Sequence, residues 1–397
     1  TGTGNTYLGA GAGTGASGQS NNNNTAVGNA ALTSITTGIQ NTIMGASAGR
    51  NITTGGNNVI IGRVAAYAST DVDKAVIIGE QAAYTGNMTS AADGTISIGN
   101  NAGKNVTSAE ASTFVGSGAG ANVTTGDHNT AFGKSAGSQI TTGGETVTVG
   151  YLAGQYATGS YNTFLGSEAG KGGTTSAPYS SGQENTAVGY QALTGFTTGY
   201  GNVAVGNNSL DAVTEGFYNI GIGPAAGGSI TTGDHNIAMG YATFDAATTT
   251  GYTIAIGYMA LSAYTHGENA YNIVMGIQTA YLKTSGRFNT YIGGYKNAAA
   301  DLTGEKNVWI GSYANQYGTD TDYTTLVGYE AGRYSTGSYN TFVGSEAGKG
   351  GTTSAPYSSG ENNVALGYYA LKNFTTGHSN VAIGSHAMDA ITDSNHA

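Results

Sequence analysis

The sequence predicts an all-β chain, a parallel β-solenoid of about 22 coils. Three observations lead there. A five-residue phrase ending in glycine recurs from end to end, written "NTAVG" at 24–28 and again at 185–189, with relatives such as "NTIMG" at 41–45 and "NTFVG" at 340–344. Its closing Gly falls at 22 positions from Gly9 to Gly384, most often 17 residues apart. Gly supplies 68 of 397 residues and only 9% are charged, which favours turns over helices with polar faces. A unit this short cannot enclose a core of its own. Laying each copy on the next, strand on strand at about 4.8 Å, encloses one jointly. The pattern has no break, so residues 1–397 read as one repeat array.

Each position of the coil has a reading, counted from the motif Gly as zero. Position −1 is Val, Ile, Leu, Met or Phe throughout, and position −3 is always Thr, Val or Ile. The two alternate, so both are expected on one face, the inside of the coil. Position +3 is Ala in 18 of 22 repeats, as a narrow interior requires. Position +7 is often Ile, Val or Phe, as at Ile35, Val123 and Phe196, and fills the side of a second strand expected around "TGFTTG" (194–199). The "TTG" phrase supplies a Gly for the turn. Position −4 is Asn in 16 of 22 repeats. Stacked at equal height, these amides form a ladder from coil to coil.

Position −2 is then expected to point outward, and it is apolar. Ala occupies it eight times and aromatics six times. An apolar stripe along a regular surface marks an association face. The candidate interface residues are Ile43, Ile60, Ile77, Phe114, Phe164 and Phe342. Three copies in parallel about a long axis bring such stripes together, so a homotrimer is the expected partner arrangement. A broader coil that folds one of its own segments over this face is the alternative.

A second period overlies the first. "GSEAGKGGTTSAPYSSG" occurs at 166–182 and again at 344–360, within a duplicated block spanning 150–215 and 328–393. The two longest departures from the 17-residue period are the insertions 171–184 and 349–362. Loops that bulge from a regular scaffold are the usual place for recognition. Tyr179 and Tyr357, each beside a Pro, carry rings suited to stacking on sugars. With Lys171, Lys349 and Trp309 they form the candidate receptor- or glycan-binding set.

Composition narrows the rest. The net charge is −10 with no Lys/Arg cluster, which argues against nucleic acid as a partner. No apolar run approaches the ~20 residues of a membrane span, so membrane insertion is not expected. Without Cys, neither disulfides nor thiolate metal sites arise. His128 and His235 share "TGDHN" but lie six coils apart. Asp71 and Asp73, like Asp320 and Asp322, lack calcium-loop spacing. "GASAG" and "GKSAG" match the letters of a nucleophile elbow without its strand–helix context. Glu168 and Glu346 lack a second carboxyl in register for glycoside hydrolysis. No catalytic residue, metal or cofactor is therefore assigned, and the chain is not read as an enzyme.

The phrases "N-T-A-V-G-x-x-A-L" and "T-T-G-x-x-N", clearest at 185–206 and 363–384, resemble the repeat arrays of bacteriophage tail fibres and related bacterial surface proteins. They are also similar to the shorter repeats of YadA-like trimeric adhesin heads. The resemblance implies a trimeric β-roll or β-solenoid shaft, extracellular, on a virion or bacterial cell, that contacts a host receptor or surface glycan. The 17-residue repeat is longer than the usual YadA-type unit. The chain starts at Thr1, neither terminal repeat has a cap-like composition, and the repeat phase would continue across a junction of Ala397 with Thr1. A section cut from a longer array is expected on that account. A polysaccharide-degrading tailspike and a subunit of an extracellular filament are the competing readings. An ice-binding surface is disfavoured, because Thr lies at turns and at the expected inward position −3.

Overall fold

A computed structural model describes residues 2–15 and 19–397. They form two compact units that divide after Gly201. Each unit is a parallel β-solenoid with eleven strands among its described residues. The strands coincide with the Gly-terminated phrase, from Thr6–Leu8 to Thr186–Val188 in the first unit and from Val203–Val205 to Val381–Ile383 in the second. Most are three residues long. Pairing is in strict register: Thr42 faces Val59, Ile43 faces Ile60 and Met44 faces Ile61, and Ile220, Gly221 and Ile222 face Ile237, Ala238 and Met239. One register shift is present among the described pairings, between Ile273–Ile277 and Thr290–Tyr295, where the Gly293–Gly294 pair adds a residue. The helical content among the described residues is one 3-10 turn, Ser90–Ala92. No helix there is long and apolar enough to cross a membrane.

The expected second strand does not form among the described residues. Positions +2 and +4 of most coils lie in the left-handed region, as at Ala30 (φ 53°) and Leu32 (φ 52°), or Asn208 and Leu210 (φ 52° and 49°). Alternating left-handed residues curl the chain too tightly for an extended run. Coil still bonds to coil there through backbone groups: Thr36 N–H donates to Thr53 O (2.8 Å) and Thr231 N–H to Thr248 O (2.8 Å). The motif Gly is required for a related reason. Gly45 has φ +140°, and a Cβ on it would strike the carbonyl of Gly62 in the next coil.

The Asn ladder is present as expected. Asn41 donates from Nδ2 to Asn24 Oδ1 (3.0 Å) and to Gly55 O (2.9 Å), and its own N–H donates to Asn24 Oδ1 (3.0 Å). Asn219 and Asn236 repeat the pattern in the second unit. The side chains are buried, and the amides satisfy one another and the turn carbonyls. Where Thr or Ser replaces Asn, a hydroxyl takes over, as Thr95 Oγ1 donates to Ala92 O (2.8 Å) or Ala109 O (2.7 Å); Ala75 keeps only its backbone N–H bond to Asn58 Oδ1.

The two faces of the strand are the reverse of the expectation. Position −2 points inward, and positions −3 and −1 face out. Ile43, Ile60, Ile77, Phe114, Phe164 and Phe342 are each 0% exposed, so they are core residues and cannot line an interface. Trp309 is also 0% exposed, stacked on Tyr291 at 4.6 Å with its indole N–H donating to Thr324 Oγ1 (2.6 Å). It is unavailable to a receptor. In a three-residue strand only the middle side chain can meet the Ala at +3 and the residues at +4 and +7. Those columns are buried as expected, with Ala31, Ala48, Ile35 and Ile52 among them.

A volume rule links −2 to +4 within a coil. Phe114, Phe164 and Phe342 are matched by Gly120, Gly170 and Gly348, and a Cβ on any of these glycines would overlap the ring. In most coils with Ala at −2, +4 grows: Ala26 with Leu32, Ala187 with Leu193, Ala238 with Phe244. The trade is not universal: Gly221 with Gly227 and Ala131 with Gly137 are small at both positions, and Leu210, Ile230 and Ile140 fill the space there, as close packing demands.

Candidate functional site

The reversed strand leaves a different apolar face in contact with solvent. Leu8, Met44, Phe132 and Leu165 at position −1 are exposed in the first unit, as are Ile222, Met275, Leu366 and Ile383 in the second. Val147, Val308 and Val381 at position −3 join them. No charged residue occupies either column in any repeat. Tyrosines recur in the two columns that flank the strand, more often in the second unit than in the first. Position −5 holds Tyr161, Tyr218, Tyr252, Tyr271, Tyr323 and Tyr339, and position +1 holds Tyr151, Tyr190, Tyr241, Tyr258, Tyr329 and Tyr368. All twelve are exposed. Among the described residues, every exposed large apolar side chain except Ile39, Tyr200, Leu282, Tyr295 and Leu302 lies in these four columns. An apolar centre rimmed by Tyr is the composition of a protein–protein contact surface.

Many of these rings stack on one another. His235, Tyr252, Tyr271 and Phe288 follow at 4.8, 5.2 and 5.4 Å, with interplanar angles of 7°, 23° and 3°. Stacking along the coil direction occupies the ring faces, and a sugar stacks on a face. These columns therefore present edges and hydroxyls, which suits packing against another protein surface better than platform binding of a glycan.

The twin insertions rejoin the ladder at their ends and bulge between. Ala157 bridges to Ser180, and Ser335 to Ser358. Thr175–Pro178 and Thr353–Pro356 project into solvent. Tyr179 is half-buried and stacks on Tyr156 at 5.9 Å. Tyr357 packs on Tyr317 and Tyr334 at 5.8 and 6.0 Å. Lys171 Nζ reaches Glu168 Oε2 at 3.2 Å, and Gln191 Nε2 donates to the same oxygen at 3.3 Å. Lys349 Nζ lies between Glu330 Oε2 (2.5 Å) and Glu346 Oε2 (2.9 Å), and Lys372 adds a contact to Glu346 at 3.1 Å. Arg333 bonds Glu330 at 2.6 Å, with its guanidinium over the rings of Tyr317 and Tyr334. Hydrogen bonds from Gln191 and Lys171 hold the Glu168 carboxyl below its ordinary pKa. Burial raises that of Glu346, but the ammonium groups of Lys349 and Lys372 outweigh it and the net shift is downward. The structure thus brings Lys171 near Tyr179 only through the loop, whereas Lys349 and Tyr357 belong to one charged and aromatic cluster.

The acidic turn residues have structural partners. Asp73 accepts the N–H of Gly56 (2.5 Å), and Asp322 that of Glu305 (2.8 Å). His235 is engaged with Asp234 Oδ2 at 2.9 Å. No group of three or more His, Cys, Asp or Glu side chains gathers at one place among the described residues. Asp211 and Asp245 approach each other across Gly228, and burial together with the Asp211 charge raises the Asp245 pKa. Sequence reading did not single out this pair, because the two lie 34 residues apart and only the two-coil stacking joins them.

No protein-family model matches the chain, and no curated protein matches it either.

Proposed function

We propose that this chain is the shaft of a structural, adhesive fibre, on a virion or cell surface, that associates in parallel as a homotrimer and attaches to a host receptor or surface glycan. The observation that carries the reading is the charge-free face at positions −3 and −1, apolar at every −1 and Thr, Val or Ile at −3, with tyrosines recurring along both sides. A monomer leaves such a face in water along every coil. Three parallel copies about an axis bury it, and identical columns meet identical columns. The chemistry of the twin insertions supports attachment there: exposed loops, tyrosines and paired charges on a regular scaffold.

Sedimentation velocity with light scattering tests the assembly. The full chain is expected at three times its sequence mass. Phe132→Glu combined with Met239→Glu places charges on the outward face of both units without touching the core. It is expected to yield folded monomer with unchanged circular dichroism. A monodisperse wild-type monomer would remove the basis of the reading. For attachment, binding of labelled chain to host cells is expected to fall in Tyr357→Ala and Tyr179→Ala variants.

A further inference from the structure

The position +7 column is apolar in most coils, with Ile230, Phe196 and Phe374 fully buried. At Gly276 the column instead receives Lys283, and in the next coil the extra residue of Gly293–Gly294 brings Asp301 opposite. Both side chains are 0% exposed, and Lys283 Nζ lies 2.6 Å from Asp301 Oδ2. The other groups facing the pair are few. Lys283 Nζ also donates to Gly304 O (2.7 Å) and sits 5.5 Å from the Tyr291 ring centre. Tyr291 OH donates to Asp301 Oδ2 (2.7 Å), and Gly304 N–H donates to Asp301 Oδ1 (3.0 Å). Tyr264 and Trp309, both fully buried, flank the pair, with Tyr264 OH committed to Gly286 O (2.6 Å).

We propose that Lys283 and Asp301 condense to an intramolecular isopeptide bond that ties adjacent coils together. Proton transfer from Nζ to Oδ2 along their hydrogen bond leaves a neutral amine and a neutral acid, the forms a dry site favours. Burial pushes the Lys283 pKa below its ordinary value, and the charge and hydrogen bond of Asp301 offset this only in part. The Nζ lone pair attacks Cγ, and the C=O electron pair moves onto Oδ1, where the Gly304 N–H stabilises it. A second proton leaves Nζ for Oδ2, relayed through the Tyr291 hydroxyl, which touches that oxygen. Oδ2 departs as water, carrying its own proton and the relayed one, and the C=O reforms at Oδ1. No oxidant or further reactant is needed.

Three features favour this outcome over a lasting ion pair. A buried ion pair carries a desolvation cost that an amide does not. Fixed proximity replaces a bimolecular encounter by a unimolecular step. The product is also fully satisfied where it forms: its N–H points to Gly304 O and its carbonyl keeps the Gly304 N–H.

Intact-mass spectrometry of the folded full-length chain tests the proposal without a variant. The expected mass is lower than the sequence mass by one water, with proteolysis yielding a branched peptide that joins Lys283 to Asp301. Lys283→Met and Asp301→Leu are each expected to restore the full mass expected for their sequence. Tyr291→Phe is expected to slow the appearance of the water-depleted species after synthesis at least tenfold. Folded wild-type protein at full sequence mass overturns the proposal, as does a water loss that fragmentation places elsewhere.

Discussion

The stretches 166–182 and 344–360, which carry nearly all of the twin insertions, share every residue, yet they present different chemistry. In the first, Lys171 has one carboxylate partner and Tyr179 one ring partner. In the second, Lys349 bridges two carboxylates and Tyr357 meets two rings. The difference comes from the coils on either side. Leu152, Gln155, Gln191 and Thr194 stand around the first copy where Glu330, Arg333, Tyr369 and Lys372 stand around the second. In a stacked fold, the residue above and below a loop is its environment, so a copied loop acquires new properties by substitution one coil away.

What the twins share is their seating in the core, and breaking it has the largest expected effect. Phe164 over Gly170 and Phe342 over Gly348 leave no room for another carbon. Gly170→Leu and Gly348→Leu are each expected to destabilise their unit by about 3 kcal/mol through overpacking. The left-handed backbone is not the obstacle, because Leu193 and Leu371 occupy the equivalent position with φ 52° and 53°. Adding Phe164→Ala or Phe342→Ala recreates the Ala187/Leu193 arrangement, and most of the loss is expected to return. A double-mutant cycle by urea denaturation measures the coupling. Additive losses would show that the volume rule is not what seats these loops.

That rule also explains how far the sequence could be read. The period, the Asn ladder, the Ala at +3 and the core at +7 were legible because each follows from stacking like on like. The inward face of the strand was not. Position −1 is uniformly apolar and −3 uniformly β-branched, which resembles a core, while −2 ranges from Gly221 to Trp309. Real cores vary in size when a partner compensates, and only pairing −2 with +4 exposes that compensation. The second strand was misjudged because left-handed turns leave little trace when Ala and Leu occupy them. Of the candidate site residues, the four in the insertions stand on the surface loops, whereas Trp309 was misplaced with its whole column. Lys283 was not singled out, although a charge at position +7 of an otherwise apolar column is a signal, and Asp301 was hidden by the added residue at Gly293–Gly294.

The two lysines differ in the same way. Glu330 is 7% exposed and Glu346 15% in their side chains, so Lys349→Met leaves two nearly buried carboxylates without that cation. An expected loss of about 3 kcal/mol follows. Lys171→Met removes the partner of Glu168 alone, which keeps its bond from Gln191, and the expected loss is below about 1 kcal/mol. Chemical denaturation of the two variants side by side reads the difference. Equal losses would mean that the flanking coils do not distinguish the twins.

The smallest effect concerns acid. Both Glu168 and Glu346 have folded pKa values below the ordinary 4.5. The unfolded chain therefore binds more protons at these sites, and stability falls as pH drops. Their contribution is complete above the unfolded value and is lost as pH falls through the folded values. The largest contribution at Glu168 is the hydrogen bond from the neutral Gln191 amide, whereas at Glu346 it is burial, which raises the pKa and is outweighed by the ammonium groups of Lys349 and Lys372. Salt screens the ammonium groups and leaves the amide hydrogen bond nearly untouched. Melting temperatures of wild type, Glu168→Gln and Glu346→Gln, followed from about pH 6 to pH 3, separate the shares. Added salt is expected to shrink the share lost in Glu346→Gln more than that lost in Glu168→Gln, where Lys171 supplies only part of the shift. A salt response of the same size at both sites would assign the Glu168 shift to Lys171 instead, and with it remove the contrast between the two copies at this carboxylate.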